Sequence, residues 1–324
     1  MSETYKVAGL ELESPLMNAA GAINHFNPET ILNEARLLAN TGVGAIQPGS
    51  VTKPPSPGNE VLFGEPTHHY DPRTGKMANS KGLPSPGKDE MLRITPELVA
   101  IAHEAGKAVI MSVSATKDAG SSVEQSVELA ESFLETEVDR VIVNVSCPNI
   151  VEGGDGRKPI MGYDFDTMEE LVETFWERIG ETGRLGVKPA NHVTIEQKLL
   201  IPRLAGLYRG RPVFTFMEGP NTIPGYVPVD DDGNNILSVP GGAGGLSGPA
   251  TRANGREQLE LWADEVSDFM DIISAQGVDS GKEMAWRLGH GAVAASGVSF
   301  LWNSRKWEYA VTQMLEEYAA EVAL

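Results

Sequence analysis

Short apolar runs alternate with amphipathic segments along almost the whole chain. The apolar runs are rich in Val, Ile and Ala, a composition typical of buried strands. In the first amphipathic segment, Asn27 predicts a helix cap and Pro28 the first helical residue. Leu32, Ala35 and Ala39 then fall on one apolar face. The strands are predicted at residues 15–20, 43–47, 108–114, 140–145, 186–188, 213–217, 270–274 and 292–296.

The later amphipathic segments predict further helices. After the third strand, Val123, Val127, Ala130 and Leu134 recur at helical spacing. Strict alternation of strand and helix predicts a parallel sheet, and eight such units predict an α/β fold closed into a (β/α)8 TIM barrel. No internal repeat or linker is apparent, so we expect a single domain over residues 1–324. The remaining helices are predicted at residues 167–179, 194–207, 252–269, 280–288 and 304–320.

Two stretches interrupt this rhythm, at residues 50–95 and 219–249. Both are rich in Gly and Pro, and both are too long for simple connections, which favours a functional role. They follow the second and sixth predicted strands. We therefore expect extended loops on the C-terminal face of the barrel, where the active sites of this fold lie.

The net charge of the chain limits the kinds of partner that it can bind. The formal net charge of -19 argues against nucleic acid and anionic membranes, both of which need a basic face. A phosphate-bearing ligand would have to be held by backbone N–H groups and a few placed cations. The first 16 residues contain no signal-peptide hydrophobic stretch, and a single cysteine allows no intrachain disulfide. We expect a soluble cytoplasmic protein that acts on a small molecule.

The single cysteine lies at the end of the fourth predicted strand, in Asn144-Val145-Ser146-Cys147-Pro148-Asn149. Asn144 interrupts an apolar run, and a buried amide is costly unless it finds polar partners. Asn144 is therefore expected to face a ligand or a polar site. Cys147 is well placed for chemistry, although a lone free cysteine is more often a small buried hydrophobe.

Polar residues also close other strands. Ala20 and Gly21 follow the first strand, Lys188 ends the fifth, and Asn221 and Thr222 follow the sixth. A lone strand-end lysine is more often an ion-pair partner than a catalyst. Strand ends on one barrel face converge on one mouth, however, so the set together predicts a site.

Glycine-rich turns predict a phosphate site, since loops after strands seven and eight usually bind phosphate in this fold. The candidates are Gly245 in a run of glycines, Gln276-Gly277 after strand seven, and Val298-Ser299 after strand eight. The dinucleotide pattern GxGxxG is absent, which favours a mononucleotide over NAD. His68-His69 lacks a third ligand at metal spacing, so no metal site is expected.

These motifs resemble the dihydroorotate dehydrogenase family, specifically its soluble, cysteine-using branch. The resemblance extends from Asn18 to Ser299. It implies two catalytic residues: Cys147 takes a proton from the substrate, and Lys188 faces the flavin and stabilises negative charge on the reduced ring. The substrate contacts that it implies are Asn79, Lys81, Gly82, Leu83, Asn144, Asn149, Asn221 and Thr222. The implied FMN contacts are Ala20, Gly21, Gly49, Ser50, Asn144, Lys188, Gly245, Gln276, Gly277, Val298 and Ser299.

One position departs from the family pattern. The family's Thr-Lys-Ser at the end of strand two falls on Pro48-Gly49-Ser50, so Gly49 replaces a lysine that reaches both the flavin and the substrate carboxylate. Lys81 or Lys53 is a candidate replacement.

The resemblance implies an FMN-dependent enzyme that interconverts dihydroorotate and orotate. It also implies a homodimer, and an electron-transfer partner subunit remains open. Because of Gly49, a second hypothesis keeps the flavin and changes the substrate to another pyrimidine or an activated alkene without the carboxylate. A third is a non-catalytic flavin-binding barrel. The electron acceptor, fumarate or NAD through a partner, is left open.

Overall fold

A computed structural model describes residues 4–116, 121–147, 159–302, 304 and 306–323. Within these ranges the strands are β1 Tyr5–Val7, β2 Leu10–Leu12, β3 Leu16–Asn18, β4 Ala45–Ile46, β5 His68–Asp71, β6 Lys76–Asn79, β7 Ala108–Val113, β8 Arg140–Asn144, β9 Leu185–Lys188, β10 Phe216–Gly219, β11 Ile223–Tyr226, β12 Gly244–Ser247, β13 Asp271–Ser274 and β14 Ala294–Gly297. The helices are α1 Pro28–Ala39, α2 Gly58–Phe63, α3 Lys88–Glu104, α4 Ser122–Leu134, α5 Phe165–Arg178, α6 Ile195–Lys198, α7 Leu200–Gly210, α8 Arg252–Val266, α9 Gly281–Leu288, α10 Ser299–Trp302 and α11 Trp307–Val322.

Eight of the described strands form a closed parallel barrel in the order β3-β4-β7-β8-β9-β10-β13-β14. Closure is made by β14 and β3, where Gly297 lies opposite Asn18. Each of the eight predicted strands overlaps one of these, and the predicted (β/α)8 TIM barrel is confirmed. The barrel strands follow one another in chain order, as βαβ connections require.

Side chains fill the barrel from inside. Met17, Ile110, Ile142 and Phe216 belong to one buried cluster that lies beneath the antiparallel pair β1 and β2. At Gly186 an added Cβ would lie 2.4 Å from the Phe216 ring, so glycine leaves the space that this ring occupies. The main core lies between the strands and the outer helices. This packing gives the opposite end of the barrel a rigid base.

The two long interruptions contain strands and a helix that the sequence did not predict. Residues 50–95 supply β5 and β6, and residues 219–249 supply β11 and β12. These four strands form an antiparallel sheet in the order β11-β12-β6-β5, in which Gly245 pairs with Asn79. Helix α3 also begins at Lys88, inside the first interruption. No helix in the described part of the chain is long and apolar enough to cross a membrane.

Candidate active site

A large cavity opens at the C-terminal ends of the barrel strands, beside β6 and β12 of the antiparallel sheet. The space between its walls, counted out to the open mouth, is about 1020 Å³. Strand ends and insert loops bring together most of the residues that the sequence singled out. Those lining the cavity are Ala20, Gly21, Ser50, Asn79, Lys81, Gly82, Leu83, Asn144, Cys147, Lys188, Asn221, Thr222, Gln276, Gly277, Val298 and Ser299.

Two of the expected contacts that the structure describes are not in that wall. Gly245 lies in β12 and pairs with Asn79, while the following Ser247 and Gly248 reach the cavity instead. Gly49 lies behind the wall. Asn149 falls outside the described residues.

Asn144, near Cys147, is at the centre of a chain of hydrogen bonds. Its Oδ1 accepts from the backbone N–H of Ser146 at 3.1 Å and from the Ser146 hydroxyl at 2.8 Å. Asn221 Nδ2 donates to Ser146 Oγ at 2.9 Å. On the other side, Asn144 Nδ2 donates to Ser50 Oγ at 3.0 Å. The buried amide therefore has the polar partners that its burial requires, and Cys147 follows directly in a partly exposed position.

Lys188 belongs to a second buried network under the cavity. Its ammonium lies 3.3 Å from Glu218 Oε2, and both side chains are almost fully buried. The same Oε2 accepts from Gln47 Nε2 at 2.8 Å, and Oε1 accepts from Ser296 Oγ at 2.7 Å. Four strand ends are thus joined through one carboxylate. Lys188 and Ser296 line the cavity, whereas Glu218 and Gln47 lie behind them.

Lys81 is the second lysine of the cavity wall. Its Nζ lies over the Trp302 ring, 4.5 Å from the centroid, a cation–π contact. Burial lowers the pKa of Lys81, against the weaker opposing effect of nearby glutamates. Neither a hydrogen bond nor an ion pair to its ammonium is found in the described part of the chain. Lys81 is therefore a cation that is free to meet an anionic ligand.

The backbone around Gly49 leaves no room for the lysine that the resemblance predicts there. A Cβ at this position would lie 2.6 Å from Asn24 Oδ1 and 2.8 Å from the Ile23 carbonyl oxygen. The Gly49 N–H also donates to that carbonyl. Any side chain at residue 49 would thus overlap Asn24, which itself lines the cavity. Asn24 fills the space of the lost side chain.

Lys53, the other candidate replacement, lies elsewhere. Its Nζ pairs with Glu128 Oε2 at 2.5 Å, and Lys88 pairs with the same carboxylate at 2.7 Å. Lys53 is absent from the cavity wall. The geometry therefore selects Lys81.

Several buried polar atoms of the cavity wall have no hydrogen-bond partner among the described residues. They are Asn24 Oδ1, Thr222 Oγ1 and Gln276 Nε2. An unsatisfied buried polar atom costs about 1–3 kcal/mol, so native proteins rarely keep one without a ligand or water. Three such atoms in one cavity wall fit a site for a polar ligand.

The loop between β13 and α9 is the best-built candidate for the phosphate. Gln276 and Gly277 adopt positive φ angles of 63° and 75°. The fully buried Arg287 donates to the Gln276 carbonyl at 3.0 Å and pairs with Glu283 at 2.7 Å. A Cβ at Gly277 would lie 2.6 Å from Arg252 Cα, at the start of α8. The loop is thereby fixed against a helix N-terminus, which favours anions.

In the described ranges, no cluster of three or more His, Cys, Asp or Glu side chains is arranged to hold a metal ion. His68 packs against Trp302 with ring centroids 5.2 Å apart and the ring planes tilted by 54°. Burial first, and then the charge of Lys81, lowers the pKa of His68. This histidine belongs to the rim around Lys81.

Comparison with known proteins assigns the family. The family model for dihydroorotate dehydrogenase matches residues 2–318. The chain belongs to the dihydroorotate dehydrogenase family. Among its relatives is the dihydroorotate dehydrogenase B (NAD(+)) catalytic subunit of Alkaliphilus oremlandii, 24% identical over 96% of this chain and 92% of the relative. The dihydroorotate dehydrogenase (fumarate) of Trypanosoma brucei brucei is 28% identical over 87% of this chain and 82% of the relative.

A solved structure supports the same fold. The ligand-free DHODH of Eimeria tenella superposes with a TM-score of 0.75 and 18% identity, covering 97% of this chain and 86% of that one. At this identity the likeness concerns the fold. The barrel fold is thus shared with that protein.

Sequence reasoning missed several residues at or beside the cavity, among them Glu218, Asn24 and Trp302. Glu218 directly follows an apolar strand, the same signal that singled out Asn144 and Lys188, and could have been found that way. Asn24 and Trp302 carry no comparable local signal. Their place in the wall depends on how the loop after β3 and helix α10 after β14 fold over the barrel.

Proposed function

We propose that this protein is an FMN-dependent dihydroorotate dehydrogenase. The observation that carries the proposal is the single cavity that unites Cys147, the Asn144–Asn221 hydrogen-bond chain, Lys188 and the Gln276-Gly277 loop. Membership of the family supports it independently. The two relatives named above are both dihydroorotate dehydrogenases by name.

The cofactor assignment rests on the chemistry of the wall. The strained loop at Gln276-Gly277 suits a phosphate, and Gln276 Nε2 is a buried donor that awaits an acceptor. Small residues at Ala20 and Gly21 leave room for a flat ring close to the backbone. When bound, FMN would supply the hydride-accepting chemistry of the reaction.

In this proposal each of the main residues of the cavity wall has a defined role. The Asn144, Asn221 and Thr222 side chains orient the pyrimidine ring, with Asn79 and the loop at Gly82-Leu83 on the opposite wall. Cys147 removes a proton from one carbon of the C–C bond that becomes unsaturated, as a general base. Lys188 contacts the flavin from the floor of the cavity.

The substrate carboxylate needs a cation, and Lys81 supplies it in this proposal. Its ammonium lies at the cavity wall without an ion-pair partner among the described residues, whereas Lys188 is neutralised by Glu218. This assignment favours dihydroorotate over a pyrimidine without a carboxylate. The names of the two relatives differ in the electron acceptor, NAD(+) in one and fumarate in the other. The proposal therefore concerns the dihydroorotate half-reaction, which they share.

Purification tests the cofactor directly. The protein should be yellow, should release FMN on heating, and the colourless apoprotein should bind one FMN per chain when FMN is added back. An apoprotein that neither carries nor takes up FMN would contradict the proposed function.

A further inference from the structure

Glu218 is an acid buried where no acid is needed for folding. It is 1% exposed, at the end of β10, and it lies behind the cavity wall. A buried ion pair adds little stability compared with well-packed apolar residues of similar volume. The presence of this carboxylate therefore calls for a functional reason.

The Glu218 carboxylate is the acceptor in each of the following hydrogen bonds. Gln47 Nε2 and Lys188 Nζ donate to Oε2, and Ser296 Oγ donates to Oε1. Three donors and no acceptor match a carboxylate, which can only accept. The donors come from three other strands or strand ends, so the carboxylate is held in one orientation against Lys188.

We propose that Glu218 is a positioning residue that cancels the charge of Lys188 and so keeps the reduction potential of the bound flavin low. This inference rests on the proposed function, because it requires FMN in the cavity. Charge beside a flavin ring tunes its electronics. A lone ammonium would stabilise the negative charge that the ring gains on reduction, whereas the neutral Lys188–Glu218 pair does so only weakly. A flavin of lower potential passes its electrons on to an acceptor more readily.

The pair predicts shifts of opposite sign when each partner is changed alone. Glu218→Gln keeps the shape and leaves a net positive charge, so the midpoint potential of bound FMN should rise. Lys188→Met leaves a net negative charge, so the potential should fall. The double variant restores neutrality and should return close to the wild-type value. We expect each single change to alter the two-electron equilibrium constant about tenfold or more, which is about 30 mV.

The measurement is a redox titration of the four FMN-loaded proteins against dyes of known potential. Glu128→Gln is the matched control, since Glu128 also pairs with lysines but lies outside the cavity. It should leave the potential unchanged. A merely structural Glu218 would lower thermal stability without moving the potential, and that result would overturn the inference.

Two further outcomes keep the test decisive. If Glu218→Gln does not fold, the comparison of Lys188→Met with the double variant still tests the inference. A double variant whose midpoint potential is as low as that of Lys188→Met would show that Glu218 has no electrostatic effect on the flavin. Failure of all variants, and of wild type, to bind FMN would instead contradict the proposed function on which the inference rests.

Discussion

Removing the charge of Lys81 should weaken orotate selectively. In Lys81→Met the side chain keeps most of its length but loses the ammonium, which lies 4.5 Å from the Trp302 ring centroid in the wild type. A charge-assisted hydrogen bond is worth about 1.5–3 kcal/mol, or about 10- to 150-fold in affinity. Lys188 cannot compensate, because Glu218 lies 3.3 Å from it. Orotate should therefore bind about 10- to 150-fold more weakly.

The assay is a titration of the FMN-loaded protein with orotate and, separately, with uracil, which has the same ring and no carboxylate. Uracil binding should be the same in both proteins. Lys53→Met is the control, since Lys53 is held by Glu128 outside the cavity. An unchanged orotate affinity, or an equal loss for orotate and uracil, would refute the role given to Lys81.

The pH dependence provides a second check on Lys81. Burial lowers the pKa of this lysine, so its ammonium loses a proton at a lower pH than a free lysine would. Because only the protonated form holds a carboxylate strongly, orotate affinity should fall as pH rises through that pKa. Lys81→Arg stays charged throughout and should remove this fall.

Three further predictions concern the base, the phosphate loop and folding. Cys147→Ala should keep FMN but slow its reduction by dihydroorotate about 10²–10⁴-fold, and Cys147→Ser should recover activity at high pH. Gln276→Leu should weaken FMN about 10- to 100-fold, because it removes a buried donor, whereas Gln313→Leu on the exposed face of α11 should not. Burial lowers the pKa of His192 to about 4, so acid favours the unfolded chain, and stability should fall by about 3 kcal/mol between about pH 7 and pH 4.

Each of these has a contradicting result. Wild-type flavin reduction in Cys147→Ala, followed by stopped-flow absorbance, would remove Cys147 as the base. Equal FMN dissociation constants in the two glutamine variants would remove Gln276 from the cofactor site. For His192, urea unfolding of His192→Phe should show a shallower loss of stability in acid than wild type, and parallel curves would contradict the assignment.

The barrel could be predicted because each of its strands can be recognised from its own segment of sequence. An apolar run such as residues 108–114 is buried on both faces and reads as a strand without any knowledge of its neighbours. The strands of the antiparallel sheet could not be found this way. Segment His68–Asp71 is polar, and it forms a strand only because Lys76–Asn79 pairs beside it. Lys76–Asn79 in turn pairs with Gly244–Ser247.

The residues of the cavity also divide into those that the local sequence indicates and those that only the folded chain brings there. Cys147, Lys188 and Asn221 lie at strand ends, and barrel geometry alone brings such residues together. The loss of the lysine at Gly49 was visible in the sequence, but its cause was not. Only the folded loop after β3 brings Asn24 into the space that this side chain would fill.

The central claim is tested most directly by adding dihydroorotate, without oxygen, to the purified FMN-loaded protein. The visible absorbance of the oxidised flavin should bleach, with one equivalent of orotate formed per flavin reduced. Dihydrouracil, which lacks the carboxylate that Lys81 is assigned to hold, should bleach it far more slowly. A flavin that stays oxidised with excess dihydroorotate, or that is reduced equally fast by dihydrouracil, would contradict the account.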